Sequence, residues 1–287
     1  VQTCALPILK RKVRTKVKGF RATDGAGVNL VRVLGSHTAR EFDPILMLDS
    51  FDSLNPDDYT AGFPMHPHRG IETISYVSSG KMVHRDSLGN EDGISDGEVQ
   101  WMNSGSGIMH EEMVPAAERL LGVQLWLNLP AKDKMSKPSY NSIKNDEVKE
   151  IEIEGGKIRL LAGAYMEYQG YKGNYLPMDY YDIHLNPNAE ITLTMDQNDS
   201  VMIFTLLGDV YINGEHIEEK TAVKLTEGDS LTIKNGEKKA QVLYMNSRAL
   251  NETIAWAGPV VMNTQEELQQ AFLELRNDTF IKDKVVY

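Results

Sequence analysis

The segments Met65-His66-Pro67-His68-Arg69-Gly70-Ile71-Glu72 and Gly107-Ile108-Met109-His110-Glu111-Glu112 hold three of the chain's seven histidines, with carboxylates beside them. In an extended strand alternate side chains share a face, so His66 and His68 point the same way. His110 and Glu112 share a face on the second segment, and Glu111 points to the other side. Two strands that each present two inward ligands can close around one metal ion. Three imidazoles and one carboxylate suit a first-row transition metal, with water or substrate in the remaining positions. Spacing alone leaves the carboxylate open, because Glu72 has the strand parity of His68 and competes with Glu112. A single His-x-His is common, but two such pairs in Gly-rich, strand-like sequence favour a metal site. His37, His184 and His216 read as surface or hydrogen-bonded side chains. His84, in Met82-Val83-His84-Arg85-Asp86, is a lesser candidate for lining the same cavity.

The elements that must carry these residues are short strands separated by Gly, Asn, Asp and Pro turns, the pattern of an all-β sandwich or barrel. The first half offers strands over 27–34, 46–51, 72–77, 81–86, 98–102 and 122–129. Pro130 ends the last of these, and 131–140 is a polar connection without a period. A domain boundary is therefore expected near residue 145, dividing 9–145 from 146–287. The second half repeats the pattern over 147–154, 157–164, 180–185, 190–195, 200–208, 210–212, 222–225, 230–233 and 240–246. Glu227-Gly228-Asp229 echoes Ser95-Asp96-Gly97-Glu98, which suggests two copies of one fold. The second copy has neither His-x-His nor His-x-Glu, so no equivalent metal site is expected there. A helix over 264–276 closes the chain: Thr264 is its N-cap, Glu266 and Glu267 sit in the first turn, and Leu268, Ala271, Phe272 and Leu275 form an apolar stripe.

Composition narrows the function further. A 41% hydrophobic fraction with scattered charge describes a globular protein, and no apolar run approaches the roughly 20 residues of a membrane span. A net charge of −11 argues against general nucleic-acid or anionic-membrane binding. The basic run Lys10, Arg11, Lys12, Arg14, Lys16 and Lys18 alternates with Val13, Thr15 and Val17, as an edge strand with a cationic outer face would. The only cysteine, Cys4, leaves no intrachain disulfide and fits a reducing, cytoplasmic compartment. Residues 1–8 read like the translation of a sequencing adapter and are expected to be foreign to the fold.

Longer motifs carry a resemblance. His66-Pro67-His68-Arg69-Gly70-Ile71-Glu72-Thr73, Gln100-Trp101-Met102-Asn103-Ser104-Gly105-Ser106-Gly107-Ile108-Met109-His110-Glu111-Glu112-Met113, Leu125-Trp126-Leu127-Asn128-Leu129-Pro130 and Gly258-Pro259-Val260-Val261-Met262-Asn263-Thr264 are similar to the pirin family. The resemblance covers nearly all of the chain after residue 9. It implies two cupin (double-stranded β-helix, jelly-roll) barrels face to face, with metal in the N-terminal barrel alone. It implies iron(II) on His66, His68, His110 and Glu112, with Mn, Ni, Cu, Co and Zn as alternatives, and makes Glu72 an outer partner that pairs with Arg69 or an imidazole. It also implies a quercetin 2,3-dioxygenase-like activity, in which the metal binds and acidifies the flavonol 3-hydroxyl, dioxygen is the co-substrate and Glu112 takes a proton. Phe51, Trp101, Met102 and Met113 are candidates to hold the flat substrate. The rival implication is an iron-dependent regulatory protein that acts on transcription or on a partner enzyme.

Overall fold

Val13–Lys18 alternates half-buried valines and threonine with exposed cations. Such a strand suits a sheet edge, and this one pairs with Thr221–Leu225 at the end of a sheet in the second half of the chain. The computed structural model of the chain describes residues 9–283, and the expectation for residues 1–8 lies outside them. The chain divides into two units. Among the described residues, one holds Gly19–Val148, Gly173–Leu176 and 250–283; the other holds 9–18, Lys149–Lys172 and Pro177–Ala249.

The first unit contains a seven-stranded sheet in the order Ser139–Ile143, Glu98–Asn103, Ile71–Ser79, Leu120–Asn128, Ile45–Ser53, Val28–Leu34 and Phe20–Asp24. A four-stranded sheet follows the order Phe63–His68, Ile108–Met113, Lys81–Asp86 and Glu91–Ser95. Inward alternation along these strands builds an apolar core that includes Val28, Phe51, Tyr59, Val77, Met82 and Ile94. The second unit repeats the plan. Its seven strands run Val13–Lys18, Thr221–Leu225, Ser200–Leu207, Ala240–Ser247, Met178–Leu185, Gly156–Ala162 and Lys149–Ile153. Its four run Glu190–Thr194, Ser230–Asn235, Val210–Ile212 and Glu215–Ile217. This is the all-β, two-barrel architecture expected from the strand pattern, with one C-terminal helix.

The ends of the chain are exchanged between units, unlike a division by sequence at residue 145. Val13–Lys18 fills in the second unit the edge place that Ser139–Ile143 fills in the first. The helix Gln265–Arg276 belongs to the first unit. Its capping box is complete, with Thr264 Oγ1 accepting from Glu267 N–H and Glu267 accepting from Thr264 N–H. Leu268 and Ala271 pack with Ala255, Val260, Met262 and Phe280.

Arg69 explains why the C-terminal segment returns. Its guanidinium is buried and donates to Ser106 O at 2.7 Å, Glu274 Oε2 at 2.7 Å and Phe280 O at 2.9 Å, and it lies over the Phe280 ring at 4.1 Å. The Lys134 ammonium donates to Gly70 O and Val261 O, and so fixes the hairpin Ala255–Ala257/Val260–Met262 to the same corner. Arg69 therefore serves the C-terminal segment, and the expected pairing with Glu72 is absent. Among the described residues, no helix is long and apolar enough to cross a membrane.

Arg69→Leu should leave Glu274 and two carbonyls without their buried donor. We expect a loss of about 3 kcal/mol in urea unfolding. A loss under about 0.5 kcal/mol, within the usual range for surface substitutions, would show that the clamp is not what holds the C-terminal helix.

Candidate metal centre

Phe63–His68 and Ile108–Met113 pair antiparallel, with His66 opposite His110 and His68 opposite Ile108. This register gathers the three histidines. Their ligand nitrogens lie within 4.8 Å of one another. The His66 and His110 ring centroids are 4.3 Å apart, and those of His68 and His110 are 5.1 Å apart. A register irregularity between His110 and Glu112 then interrupts the pairing.

Hydrogen bonds turn the rings the same way. His66 Nδ1 lies 2.8 Å from Pro64 O and His68 Nδ1 lies 3.0 Å from Pro259 O. A carbonyl only accepts, so both Nδ1 atoms carry the proton and both Nε2 atoms carry a lone pair. Those two lone pairs face each other at 3.1 Å. His110 Nε2, buried, has no hydrogen-bond partner among the described residues. Two converging lone pairs beside a buried, unpartnered imidazole nitrogen are unfavourable without a cation, and neutral imidazole nitrogens are the donor set that transition metals take. The residues thus fit a metal. Burial and the neighbouring His66 push His68 down to about 3, and burial together with His68, His66 and His84 holds His110 well below the ordinary imidazole value. Both rings are neutral at physiological pH, the form that ligates.

Glu112 stands outside the three-histidine cluster. Its oxygens accept from the Gln100 amide, from the Gln124 amide at 2.8 Å and from Ser75 Oγ at 3.5 Å. Those three donors belong to a polar row that crosses the large sheet. Arg32 pairs with Asp49, Asp49 with Gln124, Gln124 with Ser75, and Ser75 with Gln100. The row was hidden in strands that read as apolar; the signal was a polar residue in mid-strand, Asp49, Gln100 and Gln124, in Ile45–Ser53, Glu98–Asn103 and Leu120–Asn128. Glu111 turns outward toward Arg85.

Glu72 lies elsewhere. Gly70, at φ 80°, breaks the chain between the two strands, and a Cβ there would meet Val261 O at 2.0 Å. Parity counted from His68 is therefore lost. In the regular strand Ile71–Ser79, Glu72 occupies the face opposite Ser75, buried beside the Trp101 indole. It accepts no imidazole proton. Burial pushes its carboxyl up to about 7, against the Trp101 indole.

A cavity of about 790 Å³ opens on the site. His66, His68, Gln124 and Pro259 line it, with Met47, Phe63, Trp126 and Trp256 as apolar wall and Asp24, Arg32 and Asp49 as charged lining. Trp126 meets the His68 ring edge-on at 5.0 Å. The expected substrate contacts are displaced. Phe51 packs in the barrel core against Phe63, Trp101 faces Glu72, Met102 is fully buried away from the cavity, and Met113 is surface-exposed. His37 is exposed, as expected from the sequence, and also lines the cavity. His84 does not line it but touches His110, with 3.4 Å between the two Nδ1 atoms.

In the second unit the paired inward positions are Ile191 opposite Ile233 and Leu193 opposite Leu231, all in the apolar core. Aliphatic packing occupies there the place that the first unit gives to imidazoles.

Because Glu72 is protonated at higher pH in the folded chain than in the unfolded one, its stabilising contribution is complete below about pH 4.5 and fades as pH rises through about 7. Glu72→Gln should therefore gain stability relative to the parent over that window, by up to about 3 kcal/mol. Metal affinity should not change. Parallel stability–pH curves for the two chains, or loss of metal, would contradict this placement.

Comparison with known proteins gives the same picture. The Pirin family model matches residues 27–127, and the Pirin C-terminal cupin domain model matches residues 180–281. A relative from Pseudomonas aeruginosa, provisionally named a quercetin 2,3-dioxygenase, is 39% identical over 90% of this chain and 94% of its own. Pirin of Homo sapiens is 34% identical over 93% of each chain. The crystal structure of a quercetin 2,3-dioxygenase from Acinetobacter baumannii superposes with a TM-score of 0.86 at 28% identity, covering 94% of this chain and 98% of that one. With the three-histidine cluster, these matches support a cupin-type metal-binding function.

Proposed function

This chain belongs to the pirin family, and from that premise we propose that it is a metal-dependent dioxygenase that opens the central ring of flavonols such as quercetin with release of carbon monoxide. The observation that carries the reading is access: two of the three clustered imidazoles, His66 and His68, form part of the wall of a cavity large enough for an aromatic molecule. We assign His66, His68 and His110 as ligands, with Glu112 as the carboxylate and iron(II) as the metal. A divalent metal so held supplies Lewis acidity that promotes ionisation of a bound hydroxyl.

The chain's own residues do the rest. Trp126 and Trp256, with ring centroids 5.6 Å apart, offer apolar faces to a flat ligand. Asp24, at the rim, and Asp49, buried beneath it, both accept from Arg32 and offset its charge. That balance disfavours anionic ligands and suits neutral molecules with hydroxyl donors. Burial would raise the Asp24 carboxyl, but hydrogen bonds from Arg32 and Gly25 N–H hold it below its ordinary value, as an acceptor. Glu112, joined to the cavity wall through Gln124, takes the role of proton acceptor.

The iron-loaded chain should consume quercetin and dioxygen in equal amounts and release carbon monoxide. Flavones without the 3-hydroxyl should not react, and the rate should rise with pH until that hydroxyl is ionised. Trp256→Ala should raise KM about tenfold with a smaller change in kcat. An oxygen electrode and a carbon monoxide assay read these outcomes. Fully metallated chain without oxygen uptake on any flavonol would overturn the enzyme reading in favour of an iron-dependent regulatory binding protein.

A further inference from the structure

His66 and His68 hold their Nδ1 protons on backbone carbonyls, but His110 has no carbonyl there. Its Nδ1 faces His84 Nδ1, and His84 Nε2 lies 2.8 Å from Asp86 Oδ2. The side chains of His84 and Asp86 are fully buried. We propose that Asp86 and His84 are positioning residues that fix His110 as the Nδ1–H tautomer, with its Nε2 lone pair aimed at His66 and His68. This rests on reading those three histidines as metal ligands.

The argument runs outward from Asp86. Its Oδ1 accepts from Leu88 N–H at 2.9 Å and from Asn90 N–H at 3.1 Å. Backbone donors cannot invert, so an acceptor must stay at that position. Oδ2 is left to accept from His84 Nε2–H, with Asn90 Nδ2 donating beside it at 2.9 Å. In the tautomer proposed, His84 holds its proton at Nε2 on Asp86 and offers a lone pair at Nδ1. His110 Nδ1 must then donate, and its Nε2 is freed for a metal. Tyr140 stacks on the His84 ring at 4.0 Å and 13°, which holds the ring plane. Register fixes the order, since Asp86 lies opposite His110 and His84 opposite Glu112. A carboxylate behind an imidazole also makes a ligand a stronger donor than a carbonyl does.

Asp86→Asn is the discriminating variant. The two backbone N–H groups hold the amide oxygen at the Oδ1 place, so the amide NH₂ must face His84 Nε2. His84 then carries its proton on Nδ1, against His110 Nδ1–H, and the His110 tautomer is forced to change.

The test uses the full chain, with Co²⁺ as the probe metal. Long-range ¹⁵N–¹H spectra of the metal-free chain report the histidine tautomers, and chelator competition followed by Co²⁺ absorption reports affinity. We expect Nδ1–H at His110 in the parent, loss of that signature in Asp86→Asn, and a fall in Co²⁺ affinity of about 10–100-fold. His84→Phe should show the same fall, and His84→Asn, which restores an acceptor at the Nδ1 place, should recover most of it. This pair decides the question if Asp86→Asn fails to fold. Parental affinity in Asp86→Asn or His84→Phe, or an Nε2–H His110 in the parent, would overturn the proposal. A parent chain that does not bind Co²⁺ would instead overturn the metal-site reading beneath it.

Discussion

Gathering three imidazoles around one point, two of them buried, is the constraint on which the first unit is organised. A neutral imidazole carries one donor and one acceptor, and burial removes the water that would satisfy both. Each ring must place its N–H on a protein acceptor so that its other nitrogen can face the centre. Pro64 O and Pro259 O are two of those acceptors, and in the tautomer proposed above His84 Nδ1 is the third. Since Pro259 lies far along the chain, the C-terminal hairpin has to return to this unit. The buried Arg69 and Lys134 contacts hold it there.

The two units contrast in how they fill the same space. The second closes its small sheet with Ile191, Leu193, Leu231 and Ile233 and gains apolar burial. The first gives up that burial for imidazoles and for a polar row from Arg32 to Gln100. Such a row is tolerable inside a barrel because most of its polar atoms find partners within it: Gln124 bonds both Ser75 and Glu112, and Arg32 bonds Asp49 through two nitrogens, while Gln100 Oε1 has no partner among the described residues. The row runs from the cavity wall to the carboxylate behind it, with Asp49 and Gln124 side by side across two paired strands.

The exchange of chain ends follows from sheet edges. Each large sheet needs a strand beside Glu98–Asn103 or its counterpart Thr221–Leu225. In the first unit the strand that follows the barrel supplies it. In the second the N-terminal strand does, and it carries Lys16 and Lys18 toward Glu215 and Glu218. Charged residues on an edge strand also discourage pairing with another chain.

The sequence by itself determined the strand periodicity, the doubling of the fold, the capped helix and the grouping of His66, His68 and His110. These are local or pattern-borne properties: alternation sets the face of a side chain, and a capping box needs only four consecutive residues. Tertiary structure decided what depends on contacts between distant segments. It moved Glu72 to the other face, because a left-handed Gly70 resets the count from His68. It made Arg69 a clamp for Glu274 and Phe280 instead of a partner for Glu72. It drew the cavity wall from Trp126 and Trp256 and left Phe51, Trp101, Met102 and Met113 outside it. It also set His84 behind His110, a placement fixed by the register between two strands and by no spacing within either.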